Sequence, residues 1–496
     1  MAEEELKHEH HKQDLPLVLL LGLDPCSVEK FFPELFNKFR FLSPYEFPAI
    51  SINQFLKTNA RSIKVLLCEG GGEATIPINS DILNCLPSLE CIVSASAGVN
   101  HIDLTESKRR GIVVTNAGTV FSEDVADCAV ALLLDVLRRI SASDRYVRSR
   151  LWPSKGEYLL EVEIFQNHEE NDQQQRPLIL VLGQAPQKFL QVFFPKLLQN
   201  FRLLRPSDYP TVPILEFLKT HAQSIETLLC IGPPPPVTSD MIQSLSSLKC
   251  IMSTSAGVNH IDLTECKCKG ISVTNAGNVF SEDVADYAVG LLVDVLRKVS
   301  ASDRYVKSRL WPLKREYQLG SKVGGKRIGI IGLGSIGSEV AKRLQAFGCS
   351  IAYNSRKKKE SVSFPYFPNV TNLAANSDAL ILCCALTNET YHIINKDVLS
   401  ALGKEGVVIN IGRGALVDEK ELVHCLVQGE IGGAGLDVFE NEPNVPKELF
   451  ELDNVVMTPH SAVLTPESFS ALHELTIANL EAFFSNKPLL SPVNYE

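Results

Sequence analysis

The stretch RIGIIGLGSIGSEVAKRLQAFG, Arg327–Gly348, decides how this chain is read. It runs from a short apolar strand through a glycine turn into an amphipathic helix. Gly332, Gly334 and Gly337 stand in the spacing GxGxxG. The first glycine permits a tight turn, the second lets backbone approach a pyrophosphate, and the third lets helix and strand pack closely. The free N–H groups and dipole at the helix start favour an anion. GxGxxG alone is weak, but here both flanking elements are of the right kind. The segment therefore predicts a dinucleotide site with Gly332, Gly334, Ser335, Ile336 and Gly337 at the phosphates.

The strand that follows, CSIAYNSRKKK (Cys349–Lys359), bears on which dinucleotide. Enzymes that use NAD usually place an acidic residue about 20 residues past the glycines, on the ribose 2'-hydroxyl. Here Asn354, Ser355, Arg356 and Lys357 occupy the strand end. An arginine fork suits a 2'-phosphate. RKKK by itself reads by default as a solvated basic loop; its position at the end of the second strand favours NADPH, with NADH as the weaker cofactor.

Three further segments each end an apolar run: GVVINIGRG leads to Arg413, GGAGLDVFENEP holds Asp437, Glu440 and Glu442, and NVVMTPHSA carries His460. Strand C-termini are where open α/β sheets bind ligands. Singly, each has a plain structural reading: a surface ion pair, a turn before Pro443, a histidine at a loop start. Together they supply what carbonyl reduction requires. A histidine can give a proton to the developing alkoxide near neutral pH. A neighbouring carboxylate raises its pKa and orients it. An arginine can hold a substrate carboxylate and polarise the ketone.

With GLGSIG, YNSR, NIGRG, GLDVFENEP and TPH in order, the region from about Arg176 to Glu496 resembles the D-isomer-specific 2-hydroxyacid dehydrogenases, in particular the plant cytosolic glyoxylate/hydroxypyruvate reductases that prefer NADPH. The resemblance implies Arg413, Glu442 and His460 as the catalytic trio. It places Asp437 and the Ile411, Gly412 and Arg413 backbone on the nicotinamide side. It also implies that Ala256, Gly257 and Val258, within STSAGVNH, cradle the substrate carboxylate, although the same residues read as a simple strand-to-helix turn. Two other functions stay open: a nucleotide-sensing binding protein of the same fold, and an NAD-linked D-lactate or phosphoglycerate dehydrogenase.

Upstream, PLILVLG, TLLCIG, LKCIMST and ISVTNAG alternate with amphipathic stretches, which argues for a parallel α/β sheet. Ser281 is expected to cap a helix with Glu282 and Asp283 in its first turn and Arg297 and Lys298 in its last. The chain also repeats itself. SAGVNHIDLTE occurs at Ser96–Glu106 and Ser255–Glu265, VFSEDVAD at Val120–Asp127 and Val279–Asp286, and SASDRYV at Ser141–Val147 and Ser300–Val306. The offset is 159 throughout. A period of domain size is not a solenoid.

The expected architecture is therefore α/β: a flavodoxin-like substrate domain (176–277 with 464–496) and an inserted Rossmann cofactor domain (278–463). A partial duplicate of the substrate domain and its interface arm (15–160) precedes them, joined by a polar linker (161–175). The duplicate lacks the glycine motif, the trio and the closing C-terminal helix, so one sheet face is expected to be under-covered. In dimeric relatives the corresponding helix and arm help form the subunit interface, so a homodimer or an intramolecular pseudo-dimer is expected, with a tethered remnant as the other role open to the copy.

The 496 residues suit about three domains. A net charge of -10 disfavours nucleic acid and anionic membrane as partners. The 13 scattered cysteines read as reduced thiols of a cytoplasmic protein. No metal site is expected; the CxC of Cys266 and Cys268 lacks partner ligands at zinc spacing, and His8, His10 and His11 read as a polar tail. The loop IGPPPPVTSD (Ile231–Asp240) leaves the choice among small 2-keto acids open.

Overall fold

The computed structural model describes residues 15–59, 61–70, 75–155, 176–183, 195–232, 234–314 and 317–494. The polar linker and the N-terminal histidines lie outside the described residues, as does Pro233 of the proline loop. The chain divides into two compact units, Met1–Ala126 and Asp127–Glu496.

In the first unit, strands β1 (Leu17–Leu21), β2 (Arg40–Leu42), β3 (Val65–Cys68), β4 (Cys91–Ser94) and β5 (Val113–Thr115) form a parallel sheet in the order β2-β1-β3-β4-β5. Side chains alternate across a strand, so Leu19, Leu21, Leu66, Cys68 and Ile92 share one face. That face is buried with Phe55, Leu56, Ile82 and Leu83. On the other face Leu67 and Val93 are only half-buried.

The second unit opens with the same sheet order. Strands β6 (Leu178–Leu182), β7 (Arg202–Leu204), β8 (Thr227–Cys230), β9 (Cys250–Ser253) and β10 (Ser272–Thr274) line up as β7-β6-β8-β9-β10. This is the flavodoxin-like 2-1-3-4-5 arrangement. The long C-terminal helix, Pro466–Phe484, buries Leu472, Ile477 and Leu480 with Val181, Leu229, Cys250 and Met252. The chain end then returns to the sheet edge, where Val493 N–H donates to Val273 O at 2.8 Å.

Strands β11 (Arg327–Ile331), β12 (Ser350–Asn354), β13 (Ala379–Leu382), β14 (Val407–Asn410), β15 (Gly433–Leu436) and β16 (Val455–Met457) form a second parallel sheet in the order β12-β11-β13-β14-β15-β16. A parallel bridge between Tyr353 and Tyr366 continues it beyond β12. Counted with that bridge, the order is the doubly wound one, which reverses between β11 and β13. Ligands bind at such a reversal.

Four helices complete the frame used below. Helix α1 (Ser122–Arg138) and α2 (Ile140–Arg148) come from the first repeat; α3 (Ser281–Arg297) and α4 (Val299–Lys307) are their counterparts in the second. Asp127, where the second unit begins, lies within α1. The expected Ser281 cap is corrected. Phe280 holds the capping position with no side-chain bond, and Ser281 is the first helical residue, 8% exposed. Lys298 is likewise outside the last turn: its backbone is left-handed, φ 57°, and forms the corner into α4. Among the described residues no helix is long and apolar enough to cross a membrane.

Candidate active site

The glycine turn sits at the sheet reversal. Gly332 has φ 94°, and a Cβ there would lie 2.5 Å from the Cys384 backbone N, so only glycine fits beside the end of β13. A Cβ on Gly337 would lie 2.2 Å from Gly332 O, which is the close packing of helix on strand that the motif predicts. Gly334 differs. It caps helix α5 (Ser335–Ala346), and a Cβ there would meet nothing within 4 Å. Open space at a helix N-terminus fits a pyrophosphate. Ser335 is exposed and Ile336 half-buried beside it.

At the end of β12, Asn354 turns inward and donates from Nδ2 to Phe367 O at 2.8 Å. Ser355 follows, with Oγ donating to Lys357 O at 2.7 Å, while Arg356 and Lys357 are exposed. Both basic side chains therefore project beyond the end of β12 toward solvent.

Asn410, the last residue of β14, shapes the next loop. Its side chain accepts from Gly412 N–H at 3.1 Å and donates to Arg413 O at 2.9 Å. Ile411 is buried and Gly412 lies against the strand ends, where a Cβ would approach Cys384 O to 3.3 Å. Arg413 reaches the STSAGVNH loop. A Cβ on Gly257 would lie 2.5 Å from Arg413 Nη2. Two amides hold that loop: Asn275 Nδ2 donates to Ala256 O, and Asn259 Nδ2 donates to Leu386 O just beyond β13, both at 2.8 Å. Burial pushes the Arg413 pKa down, partly opposed by the charge of Glu442.

His460 lies three residues past β16. It donates from Nδ1 to Glu442 Oε2 at 2.9 Å, and its side chain remains 40% exposed. Burial works against a charged ring, but the hydrogen bond and charge of Glu442, helped by Asp437, outweigh it and raise the pKa. Glu442 shifts down: burial opposes its charge, while His460, the Phe439 N–H at 3.0 Å and Arg413 favour it. Glu440, the other candidate in the same segment, points elsewhere and accepts from His392 Nε2 at 2.6 Å. The pairing thus selects Glu442.

Asp437 supports the backbone around His460. It is 1% exposed, and its oxygens accept from Thr458 Oγ1 at 2.6 Å, Ser461 N–H at 2.8 Å and Ala462 N–H at 3.1 Å. Its backbone O also accepts from His460 N–H at 2.8 Å. These bonds hold His460 in a left-handed conformation, φ 53°, that a histidine adopts only when its surroundings dictate it. Burial pushes the Asp437 pKa up to about 6 against His460 and these donors.

Sequence comparison identifies the family. The NAD-binding domain model of the D-isomer-specific 2-hydroxyacid dehydrogenases matches residues 289–462, and the catalytic domain model matches 51–223. A glyoxylate/hydroxypyruvate reductase of Arabidopsis thaliana is 56% identical over 300 residues, which span 60% of this chain and 93% of the relative. A hydroxyphenylpyruvate reductase of Plectranthus scutellarioides is 47% identical over 296 residues, again 60% and 93%. The chain belongs to the D-isomer-specific 2-hydroxyacid dehydrogenase family. A solved member is the NADPH-dependent glyoxylate/hydroxypyruvate reductase of Sinorhizobium meliloti, in complex with NADP and malonate. It superposes with a TM-score of 0.58 at 36% identity, covering 64% of this chain and 97% of its own.

For a 2-hydroxyacid dehydrogenase, the catalytic-domain match is unusual, because 51–223 begins in the first repeat and ends in the second. The site also contains residues that the sequence reading passed over. Asn410 was legible as the polar end of an apolar strand. Asn259 sits inside the quoted substrate loop. The His392 partner of Glu440 carries no local signal, since the two are 48 residues apart.

Proposed function

We propose that the chain reduces small 2-keto acids with NADPH, taking glyoxylate to glycolate and hydroxypyruvate to D-glycerate. The reading rests on one arrangement: Arg413 meets the Gly257 loop, while His460, backed by Glu442, keeps an exposed ring in the same unit. We assign 176–277 with 464–496 to the substrate and 278–463 to the cofactor. The open Gly334 turn, the start of α5 and the exposed Arg356 fit a dinucleotide phosphate group. Gly332, Gly334, Ser335, Ile336 and Gly337 would hold the pyrophosphate, and Ser355, Arg356 and Lys357 the 2'-phosphate. NADPH, when bound, supplies hydride to the keto carbon.

The remaining steps belong to the chain. Backbone N–H groups of Ala256, Gly257 and Val258 receive the substrate carboxylate, and Arg413 pairs with the carboxylate and the ketone oxygen. Because Nδ1 of His460 is committed to Glu442, its Nε2–H is the proton that remains to give. That proton goes to the ketone oxygen as it gains negative charge. Glu442 stabilises the charged ring beforehand and fixes its tautomer. Thirteen free thiols, among them buried Cys230, Cys250 and Cys266, fit a reducing, cytoplasmic setting.

Steady-state kinetics with NADPH and NADH over a panel of 2-keto acids tests this reading. Turnover of glyoxylate and hydroxypyruvate with NADPH preferred is expected. In Arg356→Ala the KM for NADPH should rise far more than that for NADH. Binding of nucleotide without turnover of any 2-keto acid would replace the enzyme by a nucleotide-sensing protein.

A further inference from the structure

The two arms, alike in sequence, differ sharply in their surroundings. In the second unit, α2 lies against α4 in a mirrored set of contacts. Ser141 and Ser300 share a hydrogen bond at 3.0 Å, Arg145 pairs with Asp303, and Arg304 pairs with Asp144. An offset of 159 carries Ser141 onto Ser300 and exchanges the two ion pairs, which is the signature of a two-fold contact between like elements. Past this contact the symmetry ends. Trp152 is 7% exposed, but its counterpart Trp311 is 59% exposed; Val147 is 2% exposed and Val306 51%.

The buried arm is covered by the loops that carry the candidate site. Asp144, fully buried, accepts from Met457 N–H at 3.0 Å, three residues before His460. It also accepts from Arg148 Nε at 2.8 Å. The Arg148 guanidinium in turn gathers the carbonyls of Phe450, Leu452 and Val455, which form the turn into β16. On the far side of His460, Arg138 donates from Nη2 to Ala462 O at 2.6 Å and from Nη1 to Asp283 O at 2.8 Å. Its charge lies over the ring of Tyr287, whose hydroxyl bonds Ser461 at 2.8 Å. Trp152 meets Phe439 edge-on at 5.9 Å, and the N–H of Phe439 holds Glu442. Arm residues therefore hold the backbone on both sides of His460, and Trp152 packs on the ring of Phe439, whose N–H bonds Glu442.

We propose that Arg138, Asp144 and Arg148 of the first repeat are positioning residues for the proton donor of the second, so that the partial copy acts as a built-in brace for the active site. The proposal rests on His460 being that donor. A left-handed histidine is a strained arrangement, and it stays populated only where neighbours over-determine it. Asp437 fixes this loop from within the cofactor domain, and the arm fixes its two ends from outside. Reduction needs the ring placed to a fraction of an ångström, so loss of the outer hold should fall on turnover and leave cofactor binding nearly intact.

The pseudo-symmetry supplies its own control. Asp144→Ala and Asp303→Ala each remove one of the mirrored ion pairs, but only Asp144 touches β16. In the full chain, Asp144→Ala should lower kcat by about tenfold or more with the KM for NADPH little changed. Its kcat should also begin to fall at a lower pH, because a loosened His460 loses contact with Glu442. Asp303→Ala should stay within about twofold of the parent. Arg138→Gln leaves the buried Asp144 cluster intact and should give a smaller fall of the same kind, which keeps the test available where Asp144→Ala impairs folding. Equal kcat and equal pH profiles for Asp144→Ala and Asp303→Ala, or an unchanged Arg138→Gln, would overturn the brace. His460→Ala measured alongside separates the two ideas: near-normal turnover in that variant overturns the donor reading and the brace with it, whereas loss of turnover with indistinguishable aspartate variants overturns the brace alone.

Discussion

The sheets β1–β5 and β6–β10 have one strand order and closely related sequences, yet they are finished differently. In the second sheet, β8 and β9 are buried at every position. In the first, β3 and β4 are buried only at alternate positions. The buried positions in β3 and β4 are those facing Phe55 and Leu83. The half-buried ones, Leu67 and Val93, correspond to Leu229 and Met252, which are covered with helix α6 (Pro466–Phe484). The first repeat has no counterpart of α6 among the described residues. The same contrast recurs on α1, where Leu132, Leu133, Val136 and Leu137 are exposed, while Leu291, Leu292, Val295 and Leu296 of α3 are buried beside the cofactor sheet. A strand pattern is thus set by local sequence, but burial is conferred by elements far along the chain.

The comparison breaks most completely at the chemistry. If only the second copy reacts, His460→Ala should lower turnover of the whole chain by about 10²–10⁴-fold, since the first copy has nothing to substitute. Steady-state kinetics with saturating NADPH gives the answer; residual turnover near normal would move the donor elsewhere.

The unequal sheet faces predict unequal stability effects. Leu229 is 0% exposed, and Leu229→Ala should cost about 2–5 kcal/mol, as cavities in a closed core do. Leu67→Ala, at the matching position of the half-covered face, should cost at most about 1–2 kcal/mol. Denaturant titration of both variants compares them directly. Equal losses would mean that the first sheet is closed in solution by something else.

The two glycine loops sharpen the contrast at the site itself. A Cβ on Gly98 meets nothing within 4 Å, whereas one on Gly257 would displace the Arg413 guanidinium. Gly257→Ala should therefore reduce kcat/KM several-fold, and Gly98→Ala should leave it unchanged. The ratio of the two values is the measurement, and a ratio near one would dissociate Arg413 from the Gly257 loop.

The smallest effect concerns pH. The raised pKa of His460 keeps the donor protonated to a higher pH than an ordinary histidine, so reduction should decline as pH rises through that raised value. The same pair favours the folded state below the unfolded histidine pKa and loses that contribution over the same rise. Glu442→Gln removes the carboxylate that holds the pKa up, so the decline should begin at lower pH. A pH profile of kcat that does not move would separate Glu442 from His460.

Much of this was readable in the chain itself. The glycine turn was legible because its glycines stand between an apolar strand and a helix, whereas Arg413, Glu442 and His460 were named together through the family resemblance. The repeat boundaries were legible because identical words recur at a fixed offset. The choice of Glu442 over Glu440 was not a matter of composition, since it depends on which carboxylate the turn after Phe439 aims at His460. The bonds of Asp437 were not legible, because an acidic residue beside a cofactor looks the same in sequence whether or not it also carries the loop above it. Ser281 was misread because a serine before two acids resembles a cap, whereas the helix starts one residue earlier than that pattern implies. The grip of Arg148 on the turn before β16 spans about 300 residues, and no local pattern announces it.

The contact between Ser141 and Ser300 joins segments of a single polypeptide. An ordinary homodimer obeys mass action: diluted below its dissociation constant, it separates and each half loses what the other contributed. Here the two halves share a tether, so their encounter has a fixed effective concentration that dilution leaves unchanged. For pairing within one chain, specific activity is expected to stay constant on dilution, and a fall at low protein concentration would show that the pairing is between chains.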